Sequence, residues 1–189
     1  MNYYHVSSLV QSGQTLRKDT KQNYSYCEFV SNCDVSSYEN FLKVWQQLLN
    51  LDVFEKTGRT ANKWTCEALF EYIRSNYYSN KPSRVWSVYL SRTFDEAFSF
   101  YTAERKPHDT FERVSHIFEI EISDNEEVSI FDMVLFEDAE KSFYVDEITE
   151  KIYTQACEKA HLYWTNVLTS KNKLEYLVDC EITIGKQII

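Results

Sequence analysis

Three glycines and two prolines in 189 residues constrain this chain more than any other feature of its sequence. A sandwich of many short strands needs more turn residues than that, and a collagen-like chain needs glycine at every third position. The same scarcity removes phosphate cradles: neither a Rossmann fingerprint nor a P-loop can be assembled from these glycines. Aromatic residues are plentiful instead. With 14 Tyr, 12 Phe and a hydrophobic fraction of 43%, the chain has ample material for a packed core, which excludes global disorder.

The length suits one ordinary domain, and no repeat or Pro/Gly/Ser linker divides it, so a single domain over residues 1–189 is expected. No apolar run is long enough for a transmembrane helix. The opening Met1-Asn2-Tyr3-Tyr4-His5 lacks the basic and apolar regions of a signal peptide. Five cysteines, Cys27, Cys33, Cys66, Cys157 and Cys180, form no CxxC pair. An unpatterned odd set fits reduced thiols and a cytoplasmic location. Cys27 and Cys33 have no second pair to complete a zinc site, so no metal is expected.

The formal charge of −9 disfavours binding that relies on tracking a phosphate backbone. Arg17, Lys18 and Lys21, with Asp19 among them, read as a solvated loop; the alternative is contact with ligand phosphates.

Hydrophobic periodicity orders the elements. Residues 2–8 read as a first strand and residues 9–38 as irregular structure. Phe41, Leu42, Val44, Trp45, Leu48 and Leu49 mark one amphipathic helix, and Trp64, Ala68, Leu69, Tyr72 and Ile73 another, joined through Gly58. Residues 84–91 read as a strand after Pro82. Thr93 and Glu96 then form a capping-box pattern for a helix running to about Arg105, where Pro107 stops it. Strands are expected at 116–122 and 128–133 around an acidic turn at 124–127, a helix at 146–168 and a last strand at 175–184. The mixed order implies an α+β domain with a largely antiparallel or split sheet.

Three short segments carry candidate chemistry. Tyr4-His5-Val6-Ser7 places a histidine in the first strand. Val88-Tyr89-Leu90-Ser91 precedes the capped helix that carries Phe100 and Tyr101. Leu174-Glu175-Tyr176-Leu177-Val178 opens the last strand with a carboxylate. Singly, each has an ordinary reading as a structural histidine, a core tyrosine and a solvated glutamate.

Together they resemble the His-Tyr-Glu branch of the ADP-ribosyltransferase fold, which includes the poly-ADP-ribose polymerases. Its first-strand histidine lies in a Trp-His-Gly-Ser-like segment, similar to Tyr4-His5-Val6-Ser7. Its tyrosine strand leads into a helix with a second aromatic about eleven residues on, a spacing like that of Tyr89 and Phe100. Its glutamate lies in an Asn-Glu-Tyr-Ile-Val-like strand, close to Leu174–Val178. The whole chain also resembles a small, uncharacterised bacterial family of this fold. Two positions depart from the pattern: Val6 replaces the glycine whose backbone faces nicotinamide, and Ala97 stands where a serine meets the nicotinamide amide.

The resemblance implies a split antiparallel sheet with flanking helices and NAD⁺ bound as a substrate, without a metal. It assigns catalytic roles to Glu175, His5 and Tyr89, and NAD⁺ contacts to His5, Val6, Ser7, Tyr89, Ser91, Phe100 and Tyr101. Glu175 would stabilise the oxocarbenium-like ribose or take the acceptor's proton. Tyr89 would stack on nicotinamide, with Phe100 or Tyr101 as the opposite wall, and His5 would position the adenosine-side ribose. The implied activity is mono-ADP-ribosylation of a protein, RNA or DNA by a bacterial toxin or phage-defence effector, with a possible neutralising partner protein and no membrane. Two other readings stay open: an inactive member that binds a nucleotide or a protein, and an unrelated α+β interaction module.

Overall fold

A computed structural model of the chain describes residues 2–16, 24–51, 53, 59–111, 114–122, 127–171, 173–179 and 181–189. The Arg17, Lys18 and Lys21 group, Gly58, most of the acidic turn at 124–127 and Cys180 lie outside them. In chain order the elements are β1 (Asn2–Ser7), β2 (Thr15–Leu16), α1 (Tyr24–Ser31), α2 (Tyr38–Asn50), α3 (Ala61–Tyr77), β3 (Val88–Leu90), α4 (Phe94–Phe100), β4 (His116–Glu121), β5 (Ser129–Asp132), α5 (Met133–Lys141), α6 (Glu150–Trp164), β6 (Leu174–Val178) and β7 (Ile182–Gln187). The chain is mixed α+β, with two antiparallel sheets. It forms two compact units: one from Met1–Lys21, Ser87–Ser129 and Glu175–Ile189, the other from Gln22–Trp86 and Ile130–Leu174.

The first unit is built on a sheet in the order β1-β4-β7-β2. β1 pairs antiparallel with β4 along its whole length, from Asn2 opposite Glu121 to Ser7 opposite His116. The register between β4 and β7 shifts between Phe118 and Ile120, and Gly185 sits at that irregularity. A Cβ there would collide with the Glu119 carbonyl oxygen, so only glycine lets the two backbones approach. β3 pairs antiparallel with β6, with Tyr89 opposite Leu177 and Leu90 opposite Tyr176.

Between β3 and α4 the capping box forms as its sequence predicts. The Thr93 hydroxyl accepts from the Glu96 N–H, and the Glu96 carboxylate accepts from the N–H groups of Thr93 and Arg92. This ties two helix-end donors and fixes where α4 starts. Ala97 and Tyr101 turn inward onto Val6 and Ile117. After Phe100 the helix widens into a π turn, Tyr101–Arg105, then tightens into a 3₁₀ turn, Lys106–His108, containing Pro107.

In the second unit, Ser37, Thr60 and Thr149 cap α2, α3 and α6 through their side-chain oxygens. Aromatic rings fill the core: Phe131 stacks on Tyr163 at 4.6 Å, and Tyr163 meets Trp164 edge-on at 4.7 Å. The Trp164 indole donates to the Phe70 carbonyl at 2.9 Å. Glu67 and Arg84 are paired at the centre of this core, 1% and 2% exposed.

Four expectations are corrected. Residues 9–38 contain β2 and α1; α1 buries only Cys27 and Val30, too few apolar positions for a visible period. The strand expected at 84–91 shrinks to Val88–Leu90, because Arg84 is drawn into the second unit's core by Glu67. The strand expected to reach Met133 stops at Asp132, whose carboxylate caps α5 through the Val134 N–H. The single strand expected at 175–184 is two, β6 ending at Val178 and β7 beginning at Ile182, with the charged Asp179 and Glu181 outside both.

Candidate functional site

The three motif residues all fall in the first unit, where β1 meets β3. The only bridge described between these strands pairs Tyr4 with Ser91, through Tyr4 N–H to Ser91 O at 2.9 Å and Ser91 N–H to Tyr4 O at 2.8 Å. One residue further along, the His5 Nδ1 lies 2.9 Å from the Tyr89 carbonyl oxygen. A carbonyl only accepts, so Nδ1 carries the proton in this contact. The imidazole therefore engages the acceptor that a continued ladder would offer to the Val6 N–H.

The alternation of an antiparallel strand fixes where the Val6 backbone points. Tyr4 directs its N–H and C=O towards β3, so Val6, two residues on, directs both groups the same way. The β4 side agrees: Ile117, opposite Val6, sends its N–H and C=O to the Ile189 O and Ile188 N–H. Val6 thus presents a donor and an acceptor side by side at the seam between β1 and β3. Val6 as a whole residue is 7% exposed, and it packs with Ala97, Tyr101 and Ile117.

The β3–β6 register, continued by one residue beyond Leu90 opposite Tyr176, sets Ser91 level with Glu175. Tyr4, Ser91 and Glu175 then form one row across three strands. Tyr89 and Leu177, directly opposed, share the face of Ser91 and Glu175. Glu175 is only 5% exposed, not solvated as a strand-opening glutamate ordinarily is. Tyr89 is half-buried between the buried Val88 and Leu90. On the other face, Tyr3 meets Tyr176 with ring centroids 6.0 Å apart, and alternation assigns His5 to that side. The resemblance implies that His5, Tyr89 and Glu175 line one cleft; instead His5 and Glu175 lie on opposite faces, and only the His5 ring reaches back, to the Tyr89 carbonyl. The Arg92 guanidinium lies 5.2 Å from the Tyr3 ring centroid. Burial, and secondarily the Glu96 charge, push the Tyr176 hydroxyl above its ordinary value, with Arg92 opposing; it is a neutral phenol at physiological pH.

The remaining expected contacts divide. Ser7 is half-buried and its hydroxyl accepts from the Leu9 N–H at 3.2 Å. Ser91 is half-buried and spends its backbone on Tyr4. Of the two rings offered as the opposite wall, Tyr101 is 8% exposed and belongs to the Val6 cluster. Phe100 is half-buried, with the Arg105 guanidinium 5.4 Å from its centroid. The motifs pointed to none of the second unit's groove residues, which include Trp45, Leu49, Asn62 and Tyr144.

Among the described residues, no group of three His, Cys, Asp or Glu is placed to hold a metal. Cys27 is buried, and burial pushes the Cys33 thiol up to about 11, which opposes the thiolate a metal requires. No described helix is long and apolar enough to cross a membrane. No curated protein matches the sequence. A family model does match, that of DUF2441, a protein family of unknown function, over residues 3–189, and the chain belongs to the DUF2441 family.

Proposed function

We propose that this protein is an NAD⁺-dependent mono-ADP-ribosyltransferase whose nicotinamide subsite is the seam between β1 and β3. The observation that carries the reading is the His5–Tyr89 hydrogen bond beside the Val6 backbone, which points its N–H and C=O into the same seam. A carboxamide has one acceptor oxygen and a donor nitrogen, the complement of a neighbouring N–H and C=O. Tyr89 supplies a ring at the seam, and His5, oriented by its Nδ1 contact with the Tyr89 carbonyl, would position the adenosine-side ribose. Glu175 accepts from the hydroxyl of the reacting ribose. As the glycosidic bond breaks, its electron pair leaves with neutral nicotinamide and positive charge grows on the ribose beside the carboxylate. The acceptor's nucleophile then bonds to that carbon, and Glu175 receives the proton.

A second reading, an inactive binding module of the same fold, is favoured by one observation. Val6 and Ala97, which replace glycine and serine in the resembled pattern, pack together in one buried cluster, and neither side chain offers a hydroxyl to the amide. Nicotinamide release separates the two readings, and variants of Tyr89 locate the site. Tyr89→Ala weakens NAD⁺ binding by about 1–3 kcal/mol through lost contact area and stacking, while Tyr89→Phe retains most of it. Calorimetric titration with NAD⁺, paired with thermal melts, checks this. Unchanged affinity together with a collapsed melting temperature would make Tyr89 a core residue and leave the seam without its platform.

A further inference from the structure

A dinucleotide brings two phosphate charges to any site that holds it, and this sequence has no glycine-rich cradle to meet them. We infer that Arg92 receives the diphosphate of NAD⁺; this rests on the NAD⁺-binding part of the reading above. Arg92 directly follows Ser91, the residue that bridges β3 to Tyr4 of β1. Its guanidinium lies 5.2 Å from the Tyr3 ring centroid, and its Nη1 donates to the Asn2 carbonyl at 3.2 Å. Tyr3 packs in turn against Tyr176, and these two residues are 8% and 7% exposed. Arg92 is half-buried on that aromatic floor, where fewer waters compete for its charge and an anion contact is stronger.

Its pairing sets Arg92 apart. Arg59, Arg74 and Arg84 each meet a carboxylate within ion-pair distance, on Glu67, Glu71 and Glu67 in turn. Among the described residues, no carboxylate comes that close to the Arg92 guanidinium. Glu96 spends its Oε2 on the backbone N–H groups of Arg92 and Thr93 instead. A guanidinium carries five N–H donors in a planar fork, and the Asn2 carbonyl uses one. The remaining donors suit a pair of phosphate oxygens. Position agrees with this. Tyr3 and His5 share a face of β1 about 7 Å apart, so the guanidinium over Tyr3 is within reach of a phosphate on the ribose that His5 positions. Glu175, level with Ser91, takes the reacting ribose from the opposite face. The diphosphate joins those two riboses and has to pass between the faces, and the pairing of β3 with β1 stops at Ser91, one residue before Arg92.

The test measures binding of NAD⁺, ADP-ribose and nicotinamide riboside, which lacks the diphosphate, to the parent protein and to Arg92→Gln and Arg92→Lys. Glutamine keeps a donor for the Asn2 carbonyl and removes the charge; lysine keeps the charge and loses the fork. The expected result is that Arg92→Gln binds NAD⁺ and ADP-ribose about tenfold or more weakly, the usual loss for a charge-assisted contact. Nicotinamide riboside binds this variant as tightly as it binds the parent, and Arg92→Lys falls between the two for NAD⁺. Rising salt weakens NAD⁺ binding to the parent more than to Arg92→Gln. Equal affinity of the parent and Arg92→Gln for ADP-ribose overturns the inference. A matching loss for nicotinamide riboside, or a melting temperature that falls in step with affinity, also overturns it, because Arg92 would then only support the Tyr3–Tyr176 packing. A parent protein that binds neither NAD⁺ nor nicotinamide riboside overturns the NAD⁺ reading itself, and this inference with it.

Discussion

Glu175→Gln is expected to slow nicotinamide release from saturating NAD⁺ by on the order of a hundredfold or more, the usual cost of removing one electrostatic group from a developing charge. The substitution keeps the shape of the side chain and removes only the charge. That matters here because Glu175 is 5% exposed: truncation to alanine would mix lost packing with lost chemistry. NAD⁺ affinity should change far less than turnover, since the ribose carries its full positive charge only as the glycosidic bond breaks. Nicotinamide release by the variant within a few-fold of the parent would remove Glu175 from the mechanism. A thermal melt of the same sample shows whether a slow variant is also a misfolded one.

The largest expected effect on stability lies in the second unit. Arg84 donates through Nε to Glu67 at 3.2 Å and through Nη2 at 3.4 Å, and its Nη1 donates to the Tyr163 hydroxyl at 3.1 Å. The guanidinium lies 3.8 Å from the Phe136 ring centroid, and Arg59 approaches Glu67 to 3.9 Å. Burial pushes the Glu67 carboxyl up, but the Arg84 and Arg59 charges and the Arg84 hydrogen bonds outweigh it, and the net shift is downward. A carboxyl held below its unfolded value contributes stability above the ordinary carboxylate range, and loses it as pH falls through the folded value. Arg84→Met strands a buried carboxylate and Glu67→Leu strands a buried guanidinium, so each single change costs about 3–5 kcal/mol. The double variant Glu67→Leu/Arg84→Met should recover most of that, because two apolar side chains replace a pair rather than orphaning one member. Denaturant unfolding of the three variants checks the cycle. Single-variant losses under about 1 kcal/mol would show the pair to be peripheral to the core.

Local features of this fold were legible in the sequence, and non-local ones were not. The Thr93–Glu96 capping box was readable because both partners lie within one turn. The helical spacing through Phe41, Val44 and Leu48 marked α2 because those three residues are its buried face. Arg84 gave no such signal: its partner lies 17 residues away on α3, and nothing in the local pattern distinguishes it from a residue of the strand that follows. The division of 175–184 into β6 and β7 depends likewise on which distant strands each half pairs with, β3 for one and β4 for the other. At the candidate site, residue types and order suggested His5, Tyr89 and Glu175, and the resemblance gave them roles. The backbone direction of Val6 followed only once Tyr4 was seen to spend its own N–H and C=O on Ser91.

The account turns on that Val6 edge, and amide NMR reads it directly. NAD⁺, and nicotinamide alone at higher concentration, are titrated into the ¹⁵N-labelled protein, with deamido-NAD⁺ as the comparison. Binding at the seam predicts a downfield shift of the Val6 N–H as it donates to the carboxamide oxygen, accompanied by shifts at His5 and Tyr89. Deamido-NAD⁺ carries a carboxylate, which cannot donate to the Val6 carbonyl, so it should bind at least about tenfold more weakly, the equivalent of 1.4 kcal/mol. Unperturbed Val6, His5 and Tyr89 amides at millimolar NAD⁺, or equal responses to NAD⁺ and deamido-NAD⁺, would contradict the assignment of the β1–β3 seam as a nicotinamide subsite.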